Sequence, residues 1–570
     1  MMSIVSFCKA FLMRPDRKRW LSVILAVATV LVYLNALGAG FVWDDEVLVV
    51  GNPFIRKLTH IGELVQRDPF LEKADSGRFY RPVQPIVYAL QYAIWKLNPV
   101  GFHAVNVGLH VASVIAVFGM LIALGIATLP AFLATLWWAI HPLNTEAVTY
   151  VSGVGDVLFL LFSILTFRLW HWALHQSQSV RARWGYFGAA LTGMIALFSK
   201  EAAFALPFMM VAYLGIYGAD LLPQKRKWNA WVLVGMIGAY LAFRFGVLHH
   251  STDIGTLSWI AKASLWERIL TLSYMAVMSL KLFLIPYPLH MEYHTVIESV
   301  WDPYVWAGLP VVAGVAYLIY QHVEKRFFYF WGAWIVLAFG PVSQVFIPMS
   351  ASFREHWVYL PGIGISVLLV SALWRFFRFP GVALGFLALM VGYGGITVAR
   401  NQDWKDGFTL YTHDVKYEPR SCLLHNNLGV EQFRRQDIEA AKTSFQNAIY
   451  AAPDQRYGTA YNNYGVILEQ EGRLQEAAMC YQKGISYSQY VLAYENLGRL
   501  FLRLNRPDQA IPVLESGAAL YSFSSGIYYY LGVAYLQLNQ RDKAVAAFKE
   551  VLKQTPSDTR VQQLVDQLEN

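Results

Sequence analysis

Between residues 21 and 398 the chain returns repeatedly to apolar runs of about 15 to 20 residues, more than any water-soluble core could hide. The candidate spans are 21–37, 103–125, 128–141, 155–174, 185–199, 202–219, 230–248, 304–320, 327–347, 359–377 and 380–398. Composition agrees. The 570 residues are 56% hydrophobic and 15% charged, against about 45–50% and 25% in a soluble domain. These runs predict an all-α, polytopic helical membrane domain of about 11 spans over residues 1–400.

Short basic loops set the orientation, because Lys and Arg concentrate on the cytoplasmic side. The N-terminal cluster (Lys9, Arg14, Arg17, Lys18, Arg19), Arg181/Arg183, Lys225-Arg226-Lys227, Lys325-Arg326 and Arg375/Arg378 all fall on one side if eleven spans start from a cytoplasmic N-terminus. The first apolar run has no small-residue cleavage site after it and reads as an uncleaved anchor. The run 266–286 would be a twelfth span and would put Lys325-Arg326 outside, so it is read as an interfacial or re-entrant helix within an outer loop, 249–303. The net charge of +8 is scattered through short loops and reads as topology, which argues against nucleic-acid binding. Three cysteines, Cys8, Cys422 and Cys480, make neither a disulfide framework nor a CxxC metal site.

Residues 401–570 are of another kind. Leu428-Gly429, Tyr464-Gly465, Leu497-Gly498 and Leu531-Gly532 recur with 36, 33 and 34 residues between glycines. Twelve residues after each glycine stands Ala441, Ala477, Ala510 or Ala544, and four further Phe445, Tyr481, Leu514 or Phe548. Small residues let paired helices approach and the large one fills the gap, so the period predicts a helical solenoid of four units. Pro453 and Pro556 close the first and fourth units, and 559–569 reads as a polar capping helix. This pattern strongly resembles the tetratricopeptide repeat, whose groove takes an extended segment or a protein partner. A purely structural stalk is the plainer alternative.

Charge in the outer loops is the candidate chemistry. Phe41-Val42-Trp43-Asp44-Asp45-Glu46 follows the first span in outer loop 38–101. There a charge must be solvated by water or used. Two adjacent carboxylates raise each other's pKa, which suits a general base. Asp44 and Asp45 are the catalytic candidates, one as base and one orienting it, against the plainer reading of a cap or solvated loop. Glu46 keeps the register open.

Several strings in order then resemble one family. They are Phe41–Asp45 with Asn52-Pro53; Tyr80-Arg81-Pro82-Val83; Gly101-Phe102-His103-Ala104-Val105-Asn106 with His110; His141-Pro142-Leu143-Asn144-Thr145-Glu146-Ala147-Val148; Ser199-Lys200-Glu201; Glu355-His356-Trp357-Val358-Tyr359-Leu360-Pro361; and Asn401-Gln402-Asp403-Trp404. Together with the appended repeats they resemble the transmembrane and tetratricopeptide-repeat glycosyltransferases, O-mannosyltransferases of GT-C fold, and their bacterial relatives. The chain has Asn144 where that family commonly has a second His, Val154 where it has an Arg, and His356 where it has an Arg.

The resemblance implies a sugar donated by a polyprenyl-phosphate carrier on the non-cytoplasmic face to an acceptor such as a protein hydroxyl. Such transfer needs a base for the acceptor proton and cations or donors for the departing phosphate. Donor- or acceptor-binding candidates are Glu46, Arg81, His141, Glu146, Asp156, Lys200, Glu201, Arg354 and His356. Arg354 and Arg81 offer planar forks for a phosphate. The plainer readings are a helix cap for His141, an ion pair within Lys200-Glu201, and an interfacial anchor for Arg354. His103, Asn106 and His110 share a helix face and read as packing. No resident cofactor is predicted, a divalent metal staying open. The partners expected are the lipid-linked sugar, a protein or peptide at the repeat groove, and membrane lipids, with no nucleic acid. The alternative is a non-catalytic membrane-anchored repeat scaffold for an envelope assembly. A transporter would show internal pseudo-repeats with broken spans, and none is convincing.

The chain has no N-x-Ser/Thr sequon, which favours a bacterial inner membrane with periplasmic repeats. A reporter fused after residue 400 is therefore expected on the non-cytoplasmic side, and a cytoplasmic signal there would sink this topology.

Overall fold

The structure is a computed structural model and describes residues 16–66, 80–218, 259–345, 351–377, 379–522, 524–555 and 558–570, with 232, 234–238 and 349 besides. Cys8, Lys9, Arg14, Lys225-Arg226-Lys227, Arg378, Pro556 and most of the run 230–248 lie outside the described residues. Among the described residues the chain is helical, with one isolated antiparallel bridge between Tyr293 and Phe353. It divides into two compact units. The first holds most of residues 1–417 and the second chiefly Glu418–Asn570. The expected boundary at 400/401 thus lies inside the first unit, because the helix Gly407–Asp414 packs there, with Leu410 and Asp414 buried.

In the first unit, four helical runs are long and apolar enough to cross a membrane: Arg17–Gly38, Pro99–Ala123, Val151–Leu174 and Pro380–Asp403. At about 1.5 Å per residue, each spans about 30 Å or more. Four more apolar runs, Thr128–Ala139, Glu201–Tyr217, Tyr304–Tyr320 and Pro361–Phe376, are shorter. Helix length therefore does not carry the count of eleven spans. Proline and glycine interrupt several of the runs: the helix Lys325–Phe339 stops at Gly340-Pro341, and Thr128–Ala139 ends before His141-Pro142. The run 266–286 is a continuous helix, Leu265–Leu284, started by a capping box of Ser264 and Glu267.

The helix Val154–Leu174 is the interior element, buried along most of its length and packed against Pro99–Ala123 and Ser179–Ser199. The first helix behaves differently. Leu21, Leu25, Thr29 and Tyr33, four residues apart, are buried, while Val23, Ile24, Val27 and Leu31 are exposed. A helix that is apolar on all sides and buries only one stripe suits hydrocarbon as its outer solvent. Leu384, Leu387 and Val391 expose a similar face on Pro380–Asp403.

The second unit is four antiparallel helix pairs: Cys422–Arg434 with Ile438–Ala451, Gly458–Gln470 with Leu474–Ser488, Val491–Arg503 with Pro507–Leu520, and Ser525–Gln537 with Arg541–Gln554. Thr559–Glu569 follows as the cap and buries Val561 and Val565. The repeating glycines do what their spacing implies. A Cβ on Gly429, Gly465, Gly498 or Gly532 would lie within 2.4–2.8 Å of Phe445, Tyr481, Leu514 or Phe548. Asparagines tie successive repeats: Asn463 Nδ2 donates to Asn426 Oδ1 at 2.9 Å and Asn496 Nδ2 to Asn462 Oδ1 at 3.0 Å. Cys422 is buried and Cys480 half-buried, both as free thiols.

Overpacking one such contact costs about 1–3 kcal/mol. Gly498→Val is expected to lower the unfolding midpoint of the repeats in the full chain, read by denaturant titration. An unchanged midpoint would mean that the helix pair can open at no cost.

Candidate active site

The acidic loop is held by the turn that carries Tyr150 and Ser152. Gly153 lets the chain fold back tightly, since a Cβ there would sit 2.5 Å from the carbonyl oxygen of Ala147. The turn is held from Pro99–Ala123, where Asn106 Nδ2 donates to the carbonyls of Tyr150 at 2.8 Å and Val151 at 3.1 Å. Thr149 Oγ1 donates to Asn401 Oδ1 at 2.7 Å, and Asn401 Nδ2 donates to Val32 O at 3.0 Å. His110 is also a packing residue, between the Tyr359 hydroxyl and Ala139 O. The turn so fixed presents Tyr150 and Ser152 to the acidic loop.

The two aspartates receive different surroundings. Asp45 is fully buried. Its Oδ1 accepts from Ser152 N at 2.8 Å and from Ser152 Oγ, and its Oδ2 accepts from Val42 N at 3.0 Å. Burial pushes its carboxyl up to about 8, against the pull of those three donors. Asp44 is half-buried, and its backbone N–H donates to the Tyr150 hydroxyl at 3.1 Å. Among the described residues its carboxylate has no hydrogen-bond or ion-pair partner. Glu46 begins the next turn, Glu46–Val50, and is also half-buried. Between spans and turn stands Trp43, in the left-handed region at φ 54°. Its indole stacks on Tyr150 at 5.5 Å, and the Arg354 guanidinium lies 4.8 Å over it. A large residue held at positive φ is costly, and such positions gather at functional sites.

Arg354 joins that loop to a second cluster. Its Nη2 is 2.7 Å from Glu292 Oε1, and its Nη1 4.0 Å from Glu146 Oε1. Each glutamate also meets a histidine: His356 Nδ1 lies 2.9 Å from Glu146, and His294 Nε2 3.0 Å from Glu292. The backbone N–H of His356 donates to Glu146 Oε2 at 3.0 Å. Burial raises the Glu146 carboxyl, but His356 and Arg354 outweigh it and hold the group below the usual carboxylate range. Glu292 and His294 come from a buried extended segment that the sequence reading passed over. The alternation of Leu289, Met291 and Tyr293, all buried, was its available signal.

Behind this lies a third group. Arg400 Nη1 is 3.2 Å from Asp414, its Nη2 3.7 Å from Glu355, and Met291 N donates to Asp414 at 2.7 Å. Burial drives the Glu355 carboxyl well above its ordinary value, only partly offset by Arg400. Arg400, Glu355 and Asp414 were not singled out as candidates, although Glu355 stands in a quoted string and Arg400 immediately precedes another.

The remaining candidates pair across elements. Lys200 Nζ lies 2.6 Å from Asp156, and Arg81 donates to Glu201 at 2.9 Å. Lys200 and Glu201 thus pair with other elements and not with each other, because the extended backbone at Lys200 (φ −162°) sends successive side chains to different sides. Gln84, three residues after Arg81, donates to Ser152 O at 3.0 Å and connects this group to the acidic loop. His141 takes the N-cap position before Pro142. It is buried, its Nδ1 accepts from Leu143 N at 3.2 Å, and its Nε2 contacts Phe283 O at 3.0 Å, so both ring nitrogens serve the backbone. Among the described residues no group of three or more His, Cys, Asp or Glu could hold a metal ion.

Folded Asp45 keeps its proton up to about pH 8, whereas an unfolded aspartate loses it near 3.8. The stability from that proton is full below the unfolded value and is lost as pH rises through the folded one. Asp45→Asn is expected to flatten the fall in melting temperature between about pH 4 and pH 8, in the full chain in neutral detergent. Parallel profiles for the two proteins would show that Asp45 is ionised throughout.

Residues 426–485 and 495–559 match the tetratricopeptide-repeat family model. The chain is 24% identical to protein O-mannosyl-transferase Tmtc3 of Drosophila melanogaster, over 86% of this chain and 67% of that protein. It is 22% identical to protein O-mannosyl-transferase TMTC3 of Homo sapiens, over 94% and 68%, and 24% identical to TMTC4 of Mus musculus, over 72% and 63%. It thus spans about two thirds of the length of these curated relatives. Among solved structures, MamA from Desulfovibrio magneticus is 22% identical over 26% of this chain and 82% of that one, at a TM-score of 0.24.

Proposed function

We propose, from the premise that this chain is a homologue of the transmembrane protein O-mannosyltransferases that carry tetratricopeptide repeats, that it is a membrane glycosyltransferase with Asp44 as its general base. The carrying observation is the division of labour within the acidic pair. Asp45 is fixed by three donors, while the Asp44 carboxylate is half-buried and uncommitted. A base must reach the acceptor hydroxyl, so the uncommitted carboxylate is the one suited to it.

The donor in this reading is a hexose, mannose or similar, on a polyprenyl-phosphate carrier, met on the non-cytoplasmic face. The acceptor is a protein hydroxyl, and the repeats recruit the acceptor or a partner. Asp44 removes the acceptor proton as the sugar leaves its phosphate. Arg81 and Lys200 take the departing phosphate. Their partners Glu201 and Asp156 hold them in place until then, and Arg81 and Glu201 keep some access to solvent. Arg354, nearly buried between two glutamates and the Trp43 ring, shapes the acidic loop. No resident cofactor has a part in this reading.

One observation favours the scaffold alternative. Arg81, Lys200, Arg354 and His356 each already face a carboxylate, so a phosphate must displace one of them to bind. Transfer of radiolabelled sugar from polyprenyl-phosphate donors by purified protein in lipid separates the two readings. Asp44→Asn is expected to lose about 10²–10⁴-fold of the rate while melting like the native protein. No turnover by the native protein with any donor, with partner capture by the repeats unchanged, would favour the scaffold. Full turnover by Asp44→Asn would remove Asp44 as the base.

A further inference from the structure

The interior helix Val154–Leu174 carries charge at both ends. Asp156 joins the candidate site at one end. Arg168, His171 and His175 lie about 18–28 Å further along its axis, at the other end. Their spacing of three and seven residues puts them on one face of the helix. All three line a cavity of about 750 Å³, which also takes in Tyr213 and the end of Pro99–Ala123 at Leu124-Gly125. That volume lies within the range of small-molecule sites.

Arg168 is the unusual member. It sits in an apolar helix, and among the described residues it has no carboxylate partner and no carbonyl accepts a hydrogen bond from it. Its guanidinium lies against Gly119, where a Cβ would come within 2.8 Å of Nη1. The arginine is therefore seated between two helices, with space kept for it. An arginine within an apolar helix is ordinarily paired or functional. The histidines lie beside it, and His175 Nδ1 donates to His171 O at 2.8 Å. His171 Nε2 lies 2.8 Å from the Tyr213 hydroxyl, and the rings of His171 and His175 are 4.4 Å apart. Trp172 next to them is exposed, as an aromatic residue at a membrane boundary would be.

We infer that this cavity binds the phosphate headgroup of an anionic phospholipid, with Arg168 as its principal ligand and the Tyr213–His171–His175 group beside it. A planar cation without a protein counter-charge matches a phosphate, which accepts a fork of hydrogen bonds. A lipid is the source because Leu165 and Leu169, one turn apart on the same helix, line the cavity and offer apolar walls to the glycerol and first acyl carbons. The site is separate from the acidic loop and does not depend on the transferase reading.

The test is native mass spectrometry of the full chain released from neutral detergent, after exposure to equal amounts of phosphatidylglycerol and phosphatidylcholine. The native protein is expected to keep phosphatidylglycerol with about tenfold preference or more. Arg168→Gln should lose that preference, and Arg168→Lys should restore part of it. Elution and melting in neutral detergent establish that each variant is folded. If Arg168→Gln does not fold, the His171→Gln/His175→Gln variant takes its place and should show a reduced preference. A folded Arg168→Gln, or in its place that double variant, with undiminished preference would overturn the site. Inorganic phosphate at the concentration of the lipid is the free-anion arm. Failure to displace the lipid is the expected result, and displacement at equal concentration would assign the cavity to free phosphate and overturn the lipid.

Discussion

The hydrogen bonds from Ser152 to Asp45 are the fixed point of the membrane unit. They fasten a loop from the end of the first helix to a turn more than a hundred residues later, deep enough that Asp45 is fully buried. Removing a carboxyl group from water is costly unless its oxygens find partners, and here three donors meet them. Beside Asp45, Asp44 stays half-buried, Trp43 takes the left-handed region, and the Arg354 guanidinium lies over its indole. Through Arg354 the constraint reaches Glu146 and Glu292, and through Ser152 and Gln84 the segment bearing Arg81.

How much of this could be read from residues alone varied with the range of the interaction. The repeats were fully legible. Glycine and its large partner stand sixteen residues apart in one helical hairpin, so their contact is local and the period records it. The acidic pair was legible as a pair, but its division was not. Whether Asp44 or Asp45 points inward depends on Ser152 and Tyr150, which no nearby spacing announces. The same holds for Lys200 and Glu201, whose partners come from two other helices. His141 stayed open between two readings because a histidine before a proline has the chemistry of a ligand and the position of a cap, and its backbone contacts appear only in the fold. The buried segment with Glu292 was passed over because it sits in a long loop without helical periodicity. Helix length leaves the span count open for a related reason. Hydropathy measures apolar length, and proline breaks within that length do not lower it.

Buried charge on this scale bears on the choice between enzyme and scaffold. Glu146, Glu292, Glu355, Asp414, Arg354 and Arg400 are all nearly inaccessible, and they share one interior region of the unit. Ion pairs of this kind seldom stabilise a fold more than well-packed apolar residues of equal volume would. A unit whose only task was to anchor a repeat platform in lipid could do so with leucine at these positions. The network does supply something an apolar interior cannot. It holds the Arg354 guanidinium over Trp43, beside the acidic loop, between two carboxylates in defined places. The departures from the family pattern fit inside that frame. His356 meets Glu146 at 2.9 Å, where an arginine would bring a permanent charge. The substitution therefore alters how the Glu146 carboxylate is balanced and leaves the carboxylate itself in place.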